Sequence, residues 1–243
     1  MYFCGGAYLS HLFFIAAMDQ ITALILTVRK NTGNNVIVDC YTKELGRKAF
    51  IYSFTKKNKG HKALLSPMNW INFSVQGSVH QRLQRIKDLQ PYHLYQSIGN
   101  HPVKNLIALF LSEVIASTVK EEYEDQDLFL FLENALWYFD ELPEAYENFH
   151  LSFLVGLAAM LGIAPPVDQE DINDANYAMW LSKMNPSEQA SFKQICLCPI
   201  NQAHHLQISG KERRQQLNYI LDYLQHYAAG FKMPKSLELF RHF

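Results

Sequence analysis

Hydrophobic and polar residues alternate along the first part of the chain in short segments that turn signals separate. Apolar and β-branched residues fill residues 21–28, 36–42 and 47–54, a composition typical of strands. The sequence NTGNN separates the first two segments, and ELG separates the next two. Gly46 takes the position of the second turn that requires a positive φ. So short a turn predicts a β-hairpin.

Two further strands complete this part of the pattern. Residues 55–62 form a basic loop without an apolar side chain. A fourth strand is predicted over residues 64–77, with Pro67 near its start, where a proline is tolerated. Residues 80–92 alternate basic and apolar side chains, which fits either a fifth strand or a short helix. Five short strands in so short a segment predict a small closed barrel.

The hydrophobic period changes from residue 103 onward. Apolar residues then recur at helical spacing, which predicts three helices over residues 103–122, 125–142 and 144–163. An acidic linker over residues 165–178, short helices around residues 187–196 and a last helix from near Ser209 to Gly230 follow. Pro91 and the segment SIGNHP mark the boundary between the two patterns. We therefore predict an α+β protein, with a barrel domain over residues 18–95 and an all-helical domain over residues 96–243.

The first 17 residues precede the predicted barrel. They contain the apolar run LFFIAA, which faintly resembles a signal peptide, but no Lys or Arg comes before that run. We predict that residues 1–17 are an N-terminal extension and that Met18 is the start of the protein. A short helix that packs on the barrel is the alternative. No stretch of the sequence approaches the roughly 20 apolar residues that cross a bilayer.

The formal net charge of −1 hides a strong asymmetry along the chain. Residues 18–92 hold 12 Lys and Arg against 4 Asp and Glu, whereas residues 101–200 hold 4 against 16. Residues 201–243 hold 6 against 3. Because a basic surface attracts phosphate and an acidic one repels it, nucleic-acid binding is predicted for the barrel domain. Two ordinary solvated surfaces are the alternative.

The strongest functional signal is a set of basic residues at predicted strand ends and in the loop. Its members are Arg29, Lys30, Arg47, Lys48, Lys56, Lys57, Lys59, Lys62, Arg82, Arg85 and Lys87. On a small barrel such positions can form a continuous groove along a sugar-phosphate backbone. Aromatic residues of the same domain could supply stacking faces, although strand alternation puts only some of them outside. These are Tyr41, Phe50, Tyr52, Phe54, Trp70 and Phe73.

Signals for other chemistry are weak. The sequence contains no nucleophile elbow, Walker A loop, dinucleotide-binding glycine motif or zinc-protease motif. His204 and His205 are adjacent and therefore point in different directions, whereas a metal site needs several converging ligands. The acidic run over residues 121–127 lacks the spacing of a calcium loop. His150 is predicted in the core, as are most residues of the segment 137–139, one of which could lie in a protein-binding groove.

The four cysteines, Cys4, Cys40, Cys196 and Cys198, form no C-x-x-C pair. Cys196 and Cys198 are too close in sequence for a relaxed disulfide and do not have the spacing of a zinc knuckle. The pattern therefore favours a protein of a reducing compartment without a structural metal or cofactor.

The order of these motifs resembles the bacterial RecO family of recombination mediators. A strand ends in Tyr41 and Thr42, an acidic turn leads to Gly46 and Arg47, and a lysine-rich loop precedes a Leu-x-Pro sequence at residues 65–67. The helical segments also resemble RecO proteins of Bacteroides-like bacteria, and the ending shares the closing motif Lys235, Ser236 and Leu237. The resemblance covers residues 18–243.

The resemblance implies that the barrel is an OB-fold that binds single- and double-stranded DNA. It further implies annealing of complementary strands, loading of recombinase with the partner RecR, and binding of the acidic C-terminal tail of single-strand-binding protein, with no catalytic site. A hydrophobic groove with a basic rim would suit that tail. The family setting implies a cytoplasmic, nucleoid-associated protein that does not bind membranes.

This chain departs from the family in two respects. The loop reads KKNKGHK rather than being rich in arginine, and the acidic residues 168–174 stand where some members carry a four-cysteine zinc site. We therefore predict no zinc. Two rival hypotheses remain at this stage: an adaptor whose basic barrel binds an acidic protein, and an enzyme with a dispersed active site.

Overall fold

The computed structural model describes residues 20–76, 83–120, 124–167 and 175–240. The predicted N-terminal extension over residues 1–17, and Met18 with it, lie outside these ranges. The described residues divide into two compact units. The first contains residues 20–94 with 124 and 125, and the second contains residues 95–120 and the described residues from 126 onward.

The first unit is a closed five-stranded barrel of the OB type. Its strands are β1 (Ile21–Lys30), β2 (Asn35–Thr42), β3 (Gly46–Ser53), β4 (Trp70–Gln76) and β5 (Gln84–His93). Their order around the barrel is β1-β2-β3-β5-β4, and only the β3–β5 pair is parallel. The predicted barrel is confirmed, and the segment that fitted either a strand or a helix is β5.

Alternate side chains of the strands fill the barrel. The interior cluster contains Ile21, Ala23, Ile25, Val38, Cys40, Phe50, Tyr52, Leu65, Ile71, Phe73, Ile86 and Leu89. The register of β1 against β2 shifts between Ile25 and Thr27, so that Val28 rather than Thr27 continues the inward row. Gly46 has a φ of 62° in the turn that starts β3, as its position in the sequence predicts.

The predicted fourth strand is wrong over its first six residues. A short helix, α1 (His61–Leu64), ends the basic loop, and β4 begins only at Trp70. Between them Met68 adopts a φ of 68° and donates its N–H to the Ile25 carbonyl at 2.7 Å. The Asn69 side chain donates to the carbonyl oxygens of α1. These bonds satisfy the backbone in a turn, which an apolar pattern alone cannot distinguish from a strand.

The second unit is helical. Its elements are α2 (Pro102–Thr118), α3 (Gln126–Glu141), α4 (Phe149–Met160), α5 (Ala175–Leu181), α6 (Pro186–Leu197), a 3-10 helix (Ile200–His205), α7 (Gly210–Tyr227) and α8 (Leu237–Phe240). The three long helices and the helix before Gly230 are confirmed with bounds that differ by a few residues, and a single helix, α6, stands where short helices around residues 187–196 are predicted. Two expectations are wrong: α5 begins inside the predicted acidic linker, and α8 follows the helix predicted to be last. Among the helices of the described ranges, none combines the length and apolar character that crossing a membrane requires.

A buried lysine caps the C-terminal end of α3. Lys104 is 2% exposed. Its ammonium group donates to the backbone oxygens of Phe139 at 2.9 Å, Asp140 at 3.0 Å and Leu142 at 2.5 Å. It also donates to Ser97 Oγ at 2.7 Å. The last carbonyl groups of a helix have no intrahelical donor and carry partial negative charge, so the lysine satisfies and neutralises them together.

The Asp140 carboxylate organises the segment that leads into α2. It accepts hydrogen bonds of 2.8 Å from the backbone N–H groups of Gln96, Ser97 and Ile98. Burial alone would raise the pKa of Asp140, but these hydrogen bonds outweigh it and hold the pKa below its ordinary value. The sequence pattern did not predict this cluster. A lysine on the apolar face of a helix was the available signal.

His150 lies in the core, as predicted. It is completely buried in α4, with its ring edge-on to Phe240 at 4.9 Å and to Phe110 at 6.5 Å. Burial lowers its pKa to about 3, and the positive charge of Arg213 adds to this effect. The neutral imidazole therefore serves as a packing group. In the segment 137–139, Phe139 is fully buried and its two predecessors are half-buried.

Candidate nucleic-acid interface

Two arginines of the predicted basic set lie on one rung around the outside of the barrel. Arg29 pairs with Ile37, Ile37 with Ile51, and Ile51 with Arg85. Paired residues of neighbouring strands point to the same face, and the flanking interior positions point inward. With strands spaced by about 4.8 Å, the backbones of Arg29 and Arg85 are separated by about 14 Å across this face. Two half-buried isoleucines lie between the guanidinium groups.

The lysine-rich loop extends from the same end of the barrel. β3 ends at Ser53, which pairs with the first residue of β2, Asn35, and β1 ends beside it at Lys30. The loop lysines are all exposed, and none forms an ion pair within the described ranges: Lys56, Lys57, Lys59 and Lys62. The structure therefore brings seven of the predicted basic residues to one end of the barrel.

Hydrogen bonds hold the loop in a defined shape. The Asn58 side chain accepts from the N–H of Thr55 at 2.6 Å and donates to the Ser53 carbonyl at 3.2 Å. The Tyr52 hydroxyl and His61 Nδ1 are 2.6 Å apart, which ties α1 to the end of β3. The loop lysines therefore extend from an ordered turn. Asparagine side chains commonly form such hydrogen bonds to the backbone of a turn.

The Ser53 hydroxyl group connects Arg85 of β5 to Asn35 at the start of β2. Ser53 Oγ accepts a hydrogen bond from the Arg85 guanidinium and donates one of 2.6 Å to Asn35 Oδ1. The next residue, Phe54, donates its N–H to the carbonyl of Asn34 at 2.9 Å. Neither Ser53 nor Asn58 was among the predicted site residues. A serine that ends a strand before a basic loop was the only signal in the sequence.

Three further basic residues of the predicted set lie outside this group of seven. Arg47 and Lys48 lie at the start of β3, and about 20 Å separate Arg47 from Ser53 along the strand. Arg47 forms an ion pair of 2.7 Å with Asp39, and both side chains are largely buried. Lys87 is exposed further along β5. Arg82 lies outside the described residues.

Most of the aromatic candidates fill the barrel or are buried against its outer face. Phe50, Tyr52 and Phe73 belong to the interior cluster. Tyr41 and Trp70 are each 1% exposed, and the Tyr41 hydroxyl donates to the backbone oxygen of Asp125 at 3.2 Å. Only the sixth candidate, Phe54, is half-buried. The predicted burial of part of this set is confirmed, and it extends to five of the six rings.

The metal-binding alternatives find no support in the described ranges, which hold no group of three or more His, Cys, Asp or Glu side chains able to bind an ion. The rings of His204 and His205 have centroids 3.8 Å apart, and His204 Nδ1 bonds the Tyr138 hydroxyl at 2.5 Å. Burial raises the pKa of Cys196 to about 12 and also raises that of Cys198. Residues 121–123 of the acidic run lie outside the described ranges.

The described residues of the helical unit line two surface cavities that include basic side chains. One, of about 350 Å³, has Leu217 and Phe240 as its apolar floor and Lys211 and Arg214 at its rim, between α7 and α8. The other, of about 510 Å³, follows the end of α6 and includes Lys193. The first cavity combines the basic rim and hydrophobic floor that an acidic peptide with an aromatic end would require.

Comparisons with known proteins agree with this architecture. The family model described as "Recombination protein O N terminal" matches residues 18–95, and the model "Recombination protein O C terminal" matches residues 100–177. The chain is 28% identical over 238 residues to "DNA repair protein RecO" of Phocaeicola vulgatus, covering 92% of this chain and 98% of the relative.

Two further relatives carry the same name. The protein of Bacteroides fragilis is 27% identical over 237 residues, covering 92% of this chain and 98% of the relative. That of Porphyromonas gingivalis is 26% identical over 219 residues, with shares of 84% and 89%. The matches extend over both the barrel and the helices, in the same order. This chain therefore belongs to the RecO family of DNA repair proteins.

Proposed function

We propose that this protein is a DNA-binding recombination mediator without catalytic activity. In this proposal the barrel domain, residues 18–95, binds single- and double-stranded DNA, and the helical domain, residues 96–243, binds partner proteins. The observation that carries the proposal is the convergence of seven basic residues at one end of the barrel, on the surface where OB-folds commonly bind oligonucleotides. The centre of the site is the rung between Arg29 and Arg85.

The charge distribution supports a phosphate ligand. The loop lysines are exposed and without ion pairs in the described ranges, so DNA phosphates could replace only water and salt ions around them. The two isoleucines of the rung offer an apolar surface to sugars and bases. We propose that Arg82 and Lys87 also contribute to DNA binding, whereas Arg47 and Lys48 would be peripheral contacts.

Binding of labelled single-stranded DNA, measured by fluorescence anisotropy over a salt series, tests the proposal. We expect affinity to fall steeply with salt, and reversal of Lys56, Lys57 and Lys59 to Glu to weaken binding at least about tenfold while reducing the salt slope by up to about 3. A matched triple reversal of exposed lysines in the helical unit, Lys193, Lys232 and Lys235, should leave binding within about twofold.

The opposite outcome has a specific meaning. If the wild-type protein fails to bind DNA even at low salt, the basic surface serves an acidic protein, as in the adaptor hypothesis. Added DNA would then fail to displace such a protein from the barrel. If both triple variants weaken binding equally, net charge rather than this surface controls the affinity.

The finer part of the proposal concerns partners. We propose that the protein anneals complementary strands at the nucleoid, acts with RecR to load recombinase, and binds the acidic, Phe-ending tail of single-strand-binding protein. The rim of Lys211 and Arg214 above Leu217 and Phe240 is the cavity that suits such a tail. Energy transfer between two labelled complementary oligonucleotides would measure strand annealing.

The tail site has its own test. Binding of a labelled tail peptide should weaken at least about tenfold in the Lys211→Glu, Arg214→Glu double variant, because both rim charges then repel the acidic peptide. The second cavity offers a control: Lys193→Glu should leave the affinity unchanged. Loss of binding in the control, with none in the double variant, would assign the tail to the second cavity instead.

A further inference from the structure

Three separate segments that carry or follow basic residues of the barrel meet at one residue, Ser53. The first is the turn between β1 and β2, which follows Arg29 and Lys30. The second is the start of β5 with Arg85, and the third is the lysine-rich loop. Ser53, the last residue of β3, has a hydrogen-bond link to each.

The hydroxyl group makes two of these links. It accepts from the Arg85 guanidinium and donates to Asn35 Oδ1 at 2.6 Å. The backbone of Asn35 in turn closes the β1–β2 turn, because its carbonyl accepts from Asn31 at 2.9 Å and its N–H donates to Thr32 at 3.1 Å. The third link uses the Ser53 carbonyl, which accepts from Asn58 of the loop at 3.2 Å.

A serine hydroxyl has one donor and two acceptor sites, and here it acts in both directions. Arginine has a long side chain with several rotatable bonds, and holding it in one orientation before binding reduces the entropy lost in the complex. Arg85 is half-buried beside this hydroxyl, in contrast to the fully exposed loop lysines.

We propose that Ser53 is a positioning residue of the DNA-binding surface, whose hydroxyl orients Arg85 and connects it through Asn35 to the turn after Arg29 and Lys30. This inference rests on the proposed function, because it assumes that the ligand of the surface is DNA. It goes beyond that proposal by assigning a role to an uncharged residue that need not contact DNA.

The test is a double-mutant cycle on DNA affinity with Ser53→Ala and Arg85→Ala. We expect Ser53→Ala to weaken binding about fivefold, within the range for a typical intramolecular hydrogen bond, and to have no further effect once Arg85 is alanine. Ser53→Thr keeps the hydroxyl and should restore binding. Thr42→Val is the matched control, since Thr42 Oγ1 makes a comparable bond of 2.8 Å to the Gly46 carbonyl at the other end of β2 from Asn35.

Other outcomes separate the two proposals. If Ser53→Ala weakens binding equally in the presence and absence of Arg85, or if Thr42→Val has the same effect, the hydroxyl acts on barrel stability and the positioning role is wrong. If the wild-type protein binds DNA in a salt-dependent manner and Ser53→Ala binds equally well, the positioning role alone fails. If the wild-type protein does not bind DNA at low salt, the proposed function fails.

Discussion

The ammonium nitrogen of Lys104 lies 2.9 Å from the backbone oxygen of Phe139, one of three carbonyl groups at the end of α3 that it satisfies. The same cation lies 5.4 Å from the centroid of the Phe139 ring. The lysine is therefore held by hydrogen bonds and by an aromatic face together. Burial lowers the pKa of Lys104, while the negative charge of Asp140 opposes that shift.

Replacing Lys104 by Met should lower the free energy of unfolding by about 2 to 3 kcal/mol, because the backbone oxygens keep their burial and lose their donor. Methionine is nearly as long, so little cavity is created. Urea denaturation followed by circular dichroism would measure the change. As a control, Lys183→Met removes an exposed ion pair with Asp222 and should change stability by less than about 1 kcal/mol. Equal effects of the two variants would contradict a special role of the buried lysine.

His150 should make stability depend on pH. Its pKa is about 3 when folded, against an ordinary value of 6.5, so the unfolded chain binds the extra proton between these values. The stabilisation is fully present above pH 6.5 and is lost as the pH falls toward 3, at up to about 1.4 kcal/mol per pH unit. Denaturant titrations at pH 7, 6 and 5 would measure this slope.

The His150→Phe variant should have a shallower slope over that range, whatever its stability at pH 7, since phenylalanine takes up no proton. A His150→Phe profile parallel to that of the wild type would mean that other groups cause the acid sensitivity.

DNA binding should depend little on base identity. Five of the six candidate stacking rings are buried, and base stacking on aromatic side chains is worth about 1 to 3 kcal/mol per base where it occurs. We therefore expect the affinities for oligo-dT and oligo-dA of equal length to differ by less than about threefold in anisotropy titrations at one salt concentration. A preference above tenfold that Phe54→Leu removes would instead place a base on the half-buried Phe54.

Replacement of Arg47 should reduce the stability of the protein more than its affinity for DNA. It is bound to Asp39 at 2.7 Å, and both side chains are largely buried. Arg47→Ala should therefore lower the free energy of unfolding by about 1 to 3 kcal/mol, because it leaves Asp39 without its partner. Its DNA affinity, measured on the folded variant, should stay within about twofold of the wild type. A tenfold loss of affinity at unchanged stability would make Arg47 a central DNA contact.

Much of the secondary structure follows from local pattern, because a strand or helix needs only neighbouring residues to reveal its period. The β2–β3 hairpin, Gly46 in its turn and the helices α2, α3, α4, α6 and α7 could be predicted in this way. The predicted strand over residues 64–77 shows the limit. Its apolar residues fit either element, and the actual helix and turn depend on bonds from Met68 to Ile25 and from Asn69 to α1.

The basic composition of the barrel domain and its resemblance to RecO were also present in the sequence alone. Which basic residues lie together was not, because it depends on strand register and on barrel closure. Arg29 and Arg85 share a rung only through the pairing of β1 with β2, β2 with β3, and β3 with β5. A shift of one residue in any pair would turn one side chain to the other face. Composition thus indicated the kind of ligand that we propose, whereas long-range pairing, which no local pattern encodes, decided the shape of the proposed surface.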